Sequence, residues 1–314
     1  MSQADIIFKD NCTDILENGT DTKGEKVRPH WDDGTPAYTI KKFGVVNRYD
    51  LSKEFPALTL RRTAIKSCVD ELLWIYKLKS SNINELQSSI WDEWADENGW
   101  IGKAYGYQIG KPFIIKQLKD AFDLNDIWKK IKDYPSFTVK SNRINRSTDI
   151  YLDQMDNVLY QLKTNPFNRR ILINMYNFED LHAMHLQPCA YSLTFNVTQK
   201  PNEDRLTLNM ILNQRSQDVL TANNWNVCQY AVLLHMIAQV SNMNVGELVH
   251  VIADAHIYDR HIPMVKDLLN REPLPAPKFW INPEIKNFYD FTVDDIRLDN
   301  YETHEQIKNI PVAI

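Results

Sequence analysis

The chain has 314 residues, 43% of them hydrophobic and 25% charged, with a formal net charge of −5. This is soluble globular composition, enough for one large core or two modest ones. The acidic balance argues against a nucleic-acid or basic membrane-surface binder, so an anionic ligand requires a local cluster of arginines.

In chain order, the start MSQADIIFKDN is too polar and acidic for a signal peptide. Residues 63–78, TAIKSCVDELLWIYKL, place Ala64, Ile65, Cys68, Leu72 and Ile75 at helical spacing. Residues 111–147 are rich in lysine and aspartate, lack strand alternation, and read as a variable, mainly helical insertion. STDIYLDQMDNVLYQLKTNP then resumes a helix, with Ser147 or Thr148 as its N-cap and Pro166 just beyond its end. Strands are expected in 169–177, 191–198 and 205–212. The second alternates Tyr191, Leu193, Phe195 and Val197 with Ser192, Thr194, Asn196 and Thr198, so its polar face suits contact with another subunit. Residues 225–241 form a buried helix; its Asn, Gln and His argue against a membrane span. A further helix is expected from near Asp254 to Leu269, ending before the prolines of NREPLPAPK.

Strands mixed with helices, without strict βαβ alternation, indicate an α+β fold, with 1–314 as one domain. Neither a P-loop nor a G-x-G-x-x-G is present, which disfavours triphosphate and dinucleotide binding by those routes. The four cysteines are scattered and form no C-x-x-C pair, which speaks against a zinc ribbon and for a reducing, cytoplasmic setting.

Five short stretches carry chemistry. Cys189, in QPC, is either a small buried hydrophobe or, given a nearby cation, a thiolate nucleophile. Gln214, Arg215, Ser216 and Asp218 form a polar cluster that caps a helix or holds a phosphate with a guanidinium fork and a hydroxyl. Arg169 and Arg170 are adjacent and point to opposite faces of a strand, as a solvated pair or a second basic site. Trp91 and Trp94, three apart with carboxylates between them, pack a core or hold a flat heterocycle. In DAHIYDRH, an extended segment aims His256 and Tyr258 together, suiting a sugar hydroxyl. The five-residue step from His256 to His261 fits no helical metal-ligand pair, and no metal site is expected.

Together these pieces are specific. DELLW (70–74), IWDEWADENG (90–99), YG (105–106), NRR (168–170), QPC (187–189), QRSQDV (214–219), Asn226, DAHIYDRH (254–261) and the terminal PVAI occur in this order. In that series the chain resembles the folate-dependent, cysteine-nucleophile thymidylate synthases. Only residues 1–27 and 111–147 lie outside the resemblance.

The resemblance implies a mixed β-sheet packed by helices, its free face forming a two-fold dimer interface. It implies reductive methylation of dUMP to dTMP, with 5,10-methylenetetrahydrofolate as carbon and hydride donor and dihydrofolate as product. Cys189 would add to uracil C6, with Arg215 favouring its thiolate. Arg28, Arg215 and Ser216 would hold the nucleotide phosphate, with Arg169 and Arg170 arriving from the partner subunit, and Gln214 and Asp218 would also contact the nucleotide. Asn226 would read the uracil edge, His256 and Tyr258 the ribose hydroxyl. Glu71 would relay protons through water, and Tyr105 would help remove the C5 proton. Trp91, Trp94 and Asp218 would face the folate, and Ala313 and Ile314 would close over it. The implied partners are dUMP, folate and a second copy of the chain, with no membrane and no DNA.

Three departures stand out. Ala190 follows the nucleophile where most of the family has histidine, so water or another side chain must fill that place. TANNWN (221–226) replaces the usual LGLPFN, and PHWDDGTPAYT (29–39) is a different, longer loop after Arg28. The competing readings are a dUMP or dCMP hydroxymethylase on the same fold, and a non-catalytic RNA-binding regulator. Asn226 and Trp91 weigh against the first; the acidic charge and the intact Cys189, Arg215, Asn226 and Glu71 weigh against the second.

Overall fold

The structure is a computed structural model that describes residues 1–119, 124–142, 144–199, 201 and 203–314. The chain opens with α1 (Gln3–Asn18), β1 (Thr20–Asp21), β2 (Thr39–Asp50), α2 (Ile65–Leu73) and α3 (Gly106–Gly110). Next come β3 (Phe113–Leu118), α4 (Leu124–Ile131), β4 (Thr138–Asn142), β5 (Ser147–Leu152), α5 (Gln154–Thr164) and β6 (Leu172–Asn174). The rest comprises β7 (Ala190–Thr198), β8 (Thr207–Gln214), β9 (Gln217–Asp218), α6 (Asn223–Val240), β10 (Asn244–Tyr258), α7 (Ile262–Asn270), β11 (Lys278–Ile281) and β12 (Ile296–Asp299).

The main sheet runs β1-β2-β10-β8-β7-β6, with β9 on β10. β8 and β10 are parallel and β2, β7 and β6 pair antiparallel, so the sheet is mixed. The parallel pair needs a long crossover, and α6 supplies it. α6 is apolar around most of its circumference; Val232, Leu233, Leu234, Met236 and Ile237 are fully buried. It packs on β8 and β10 on one side and on α2 on the other. α1 covers β2 and β10 with Phe8, Cys12 and Ile15, spaced for one helical face. The α+β class with one helix-covered sheet face is as the sequence indicates.

The other sheet face carries a row in register: Leu172 opposite Thr194, Thr194 opposite Ile211, Ile211 opposite Val249. Leu172 and Ile211 remain exposed at 47% and 40%. In β7 the expected alternation holds from Ser192 on, with Leu193, Phe195 and Val197 buried; Tyr191, at a register shift, is only half-buried.

Three sequence expectations are corrected. Residues 111–147 are not mainly helical: β3, β5 and β4 form a separate antiparallel sheet around α4, with Leu118, Ile127, Ile131 and Ile150 as a small core. Residues 120–123 and 143 of that stretch lie outside the described residues. Ser147 and Thr148 cap no helix, because Ser147–Leu152 pairs with strands on both sides. The cap of α5 is Asp153, whose carboxylate accepts the Asp156 N–H at 2.9 Å. Asp254–Tyr258 is strand rather than helix, paired with β2 from Asp254 opposite Phe43 to Tyr258 opposite Thr39. The helix begins at Ile262, where Pro263 is tolerated in the first turn.

Candidate active site

A cavity of about 290 Å³ opens where α2, α6 and the ends of β7, β8 and β10 converge. Arg28, Glu71, Trp91, Trp94, Tyr105, Cys189, Gln214, Arg215, Ser216, Asp218, Asn226, His256, Tyr258 and Ala313 all line it. Residues from nearly the whole length of the sequence thus meet in one place. Arg169 and Arg170 do not: both are exposed, and Arg170 borders a different depression with Asn174 and Tyr176. Ile314 does not line the cavity and is 46% exposed.

Cys189 precedes β7, and the QPC sequence explains its setting. The carbonyl oxygens of Gln187 and Pro188 accept from Arg215 Nη2 and Nε at 2.8 and 3.1 Å. The guanidinium is thereby fixed with Nη2 3.6 Å from Cys189 Sγ. Burial pushes the thiol above its ordinary range, and Arg215 and Arg28 pull against it. The Cys189 N–H donates to Tyr105 Oη at 3.2 Å. Tyr105 stands at φ +40°, and a side chain on the following Gly106 would meet the Ser80 carbonyl oxygen at 2.0 Å. Only glycine lets the chain pass there.

Glu71 lies on the α2 face turned to α6, 6% exposed. Oε1 accepts from Trp91 Nε1 at 2.7 Å; Oε2 accepts from Trp225 Nε1 at 2.5 Å and Gln229 Nε2 at 2.8 Å. Burial pushes its carboxyl above the usual range, and these donors oppose that.

Asn226 Oδ1 accepts from Gln214 Nε2 at 3.2 Å, and Gln214 Oε1 contacts His250 Nε2 at 2.8 Å. His250 is fully buried and burial pushes its pKa down to about 3, so it is neutral. An amide oxygen only accepts, so Nε2 carries the proton and the orientation of the chain of bonds is set from His250.

Asp218 Oδ1 accepts the Leu220 and Thr221 N–H groups at 3.0 and 3.2 Å, and Oδ2 accepts the Thr221 hydroxyl at 2.6 Å. Burial works against its charge, but the nearby His261 and His256 imidazoles and the Thr221 hydrogen bond outweigh it, and its pKa lies below the usual range. His261 Nδ1 is 3.6 Å from Asp218, and Nε2 donates to the Pro311 carbonyl at 2.8 Å. The tail is also held by a mutual pair, His30 N–H to the Ile314 main-chain oxygen at 2.8 Å and Ile314 N–H to the His30 carbonyl at 3.0 Å. His256 Nδ1 meets Asp254 at 2.7 Å and its ring stands edge-on to Tyr258.

The 29–39 loop closes as a small hairpin, His30 pairing with Pro36. Its buried Trp31 donates to Asp259 at 3.0 Å and lies under the Arg260 guanidinium. This fixes the loop that follows Arg28. Sequence reasoning missed Trp225, Gln229, His250 and His261 as site residues. Trp225 and Gln229 are four apart on a helix, so their sharing a face with one partner was readable; His250 had no local signal.

Among the described residues, no group of three or more His, Cys, Asp or Glu side chains is arranged to hold a metal ion, and no helix is long and apolar enough to cross a membrane.

Known proteins with this sequence and fold are consistent with one another. The family model described as thymidylate synthase matches residues 6–314. The thymidylate synthase of Bacillus phage phi3T is 39% identical over 311 residues, 98% of each chain. Thymidylate synthase 1 of Bacillus subtilis strain 168 is 38% identical over the same shares. The solved structure of thermostable thymidylate synthase A from Bacillus subtilis superposes with a TM-score of 0.82 at 37% identity, covering both chains completely. Fold and matches together define an enzyme of the methyltransferase type. The chain belongs to the thymidylate synthase family.

Proposed function

We propose that this protein methylates dUMP to dTMP, with 5,10-methylenetetrahydrofolate as co-substrate. The observation that carries the reading is the fixed Arg215 guanidinium 3.6 Å from the Cys189 thiol, in a cavity shared with Asn226 and Glu71.

Uracil C5 is a weak nucleophile. Addition of the Cys189 thiolate to C6 forms a C–S bond and moves the ring electrons towards O4, which makes C5 reactive; one hard step becomes two easier ones. Arg215 favours the thiolate and, with Arg28, Gln214 and Ser216, receives the phosphate. The Asn226 amide pairs with the uracil edge, and His256 and Tyr258 with the ribose hydroxyl. Glu71, through water, gives and takes the proton at O4, while Tyr105 serves removal of the C5 proton. The bound folate supplies the one-carbon unit and the hydride. Trp91, Trp94 and Asp218 offer it two rings and a carboxylate, and the tail with Ala313 and Ile314 excludes water above it. Ala190 contributes no polar group to the cavity, which Gln229 and Tyr230 also line.

A homodimer with a shared site belongs to this reading. It is supported by the exposed row on the free sheet face and by Arg169 and Arg170 lying exposed outside their own cavity. The free thiols of Cys12, Cys68, Cys189 and Cys228 suit a cytoplasmic enzyme.

The test is product analysis with dUMP, then dCMP, and methylenetetrahydrofolate. Equal amounts of dTMP and dihydrofolate from dUMP are expected. A 5-hydroxymethyl product with little dihydrofolate, or no turnover, overturns the assignment.

A further inference from the structure

The Glu71 carboxyl is partnered in an unusual way. It has no ion-pair partner among the described residues, and its ionised form rests on three neutral N–H donors. Two of these come from one face of α6: Trp225 and Gln229, four residues apart, both donate to Oε2. The third, from Trp91, goes to Oε1.

A carboxylate oxygen has two lone-pair directions. Oε2 therefore has no acceptor site left, and Oε1 keeps one. Trp225 is itself tied down, since its backbone carbonyl accepts from the Cys68 thiol at 3.4 Å. It also precedes Asn226, so the amide proposed to read the base and the donors on Glu71 belong to a single turn of α6.

We propose that Trp225, together with Gln229, is a positioning residue that closes Oε2 of Glu71 and confines proton exchange with the cavity to Oε1. This rests on the reading of Glu71 as the proton relay. In the exchange, the Oε1–H bond breaks, the proton passes to a cavity water, and the electron pair stays on the carboxylate, where the three N–H groups meet it. The donors cost nothing to reorganise because α6 and the Trp91 segment already hold them in place.

Trp225→Phe keeps a ring in the same space and removes only the N–H. Gln229→Met does the same for the amide at similar volume. The readout is the Glu71 carboxyl band in infrared titration of the substrate-free protein, identified by its loss in Glu71→Gln. Each variant is expected to bind the Glu71 proton roughly tenfold more tightly, moving the titration midpoint upward. The limb of the pH–rate profile that Glu71→Asp displaces should move up with it. A lower melting temperature with an unmoved Glu71 titration in both variants overturns the proposal. The infrared titration needs no substrate, so a protein that fails to methylate dUMP overturns the proposed reaction and leaves this test standing. Should Trp225→Phe not fold, Gln229→Met carries it alone.

Discussion

Arg215 holds its Nη2 3.6 Å from the Cys189 sulfur because the carbonyls of Gln187 and Pro188, the two residues just before that cysteine, grip the guanidinium. The residues just before the proposed nucleophile thus position the cation proposed to activate it. Burial nevertheless outweighs the two guanidinium charges and raises the thiol above its ordinary range. Removing the cation leaves burial less opposed. Arg215→Ala should move the midpoint of Cys189 alkylation by iodoacetamide to higher pH, with neutral-pH alkylation slowed roughly tenfold. Turnover should fall by roughly 10²- to 10³-fold, since a fixed electrostatic donor is lost. An unchanged alkylation profile would mean that Arg215 does not act on the thiol.

Gly106 leaves no room for a side chain beside Tyr105. A Cβ there would stand 2.0 Å from the Ser80 carbonyl oxygen, so α3 must move. Tyr105, which receives the Cys189 N–H, must move with it. Gly106→Ala is expected to cost about 1–3 kcal/mol in denaturant unfolding, as overpacking does elsewhere, and to lower kcat more than the Ala substitution of an exposed site such as Lys266. Unchanged stability would show that the α3 backbone is free to adjust.

The Asp218–His261 pair gives a stability window with a sign on each side. The Asp218 carboxyl is held below its ordinary value, so its contribution is present above its unfolded pKa and is lost as pH falls through the folded one. His261 is raised, despite burial, by the nearby Asp218 charge, so its contribution is complete below its unfolded pKa and is lost as pH rises through the folded one. His261→Gln retains a donor for Pro311 but no charge. The melting-temperature gap between wild type and this variant should be widest between about pH 4 and 6.5 and should narrow above that range. A gap that does not vary with pH would remove the ion pair from the account.

The sequence made some of this readable and hid the rest for physical reasons. β7 was legible because half-buried pairing writes a period of two, and α6 because burial on all sides writes a long apolar run. Asp254–Tyr258 misled because pairing with Thr39–Phe43 is a contact across more than two hundred residues that no local spacing records. β3 and β4 were missed because their sheet is mostly exposed and its strands, FIIKQL and TVKSN, mix apolar and polar residues without strict alternation. The site residues that belong to motifs, Cys189, Arg215 and His256 among them, were found through resemblance. Trp225 and His250 act by contact with a motif residue rather than within one, so only the folded chain brings them forward.

Arg170 offers the sharpest test of the shared site. It is exposed and lies outside the cavity that holds its own Cys189, beside Asn174 and Tyr176 at the edge of the free sheet face. In a two-fold dimer, a residue that leaves its own site on that face is delivered to the partner's site by the same symmetry that receives the partner's copy. Take Arg170→Ala and Cys189→Ser chains, each inactive alone, and exchange their subunits by mild denaturation and refolding. In a hybrid dimer, the Arg170→Ala subunit keeps its cysteine and receives an intact arginine across the interface, while the other site lacks both. Random exchange makes half of the dimers hybrid with one working site each, so roughly a quarter of wild-type activity should return. If Arg170 served its own subunit, no combination of these chains would contain a complete site, and the mixture would stay as inactive as its components.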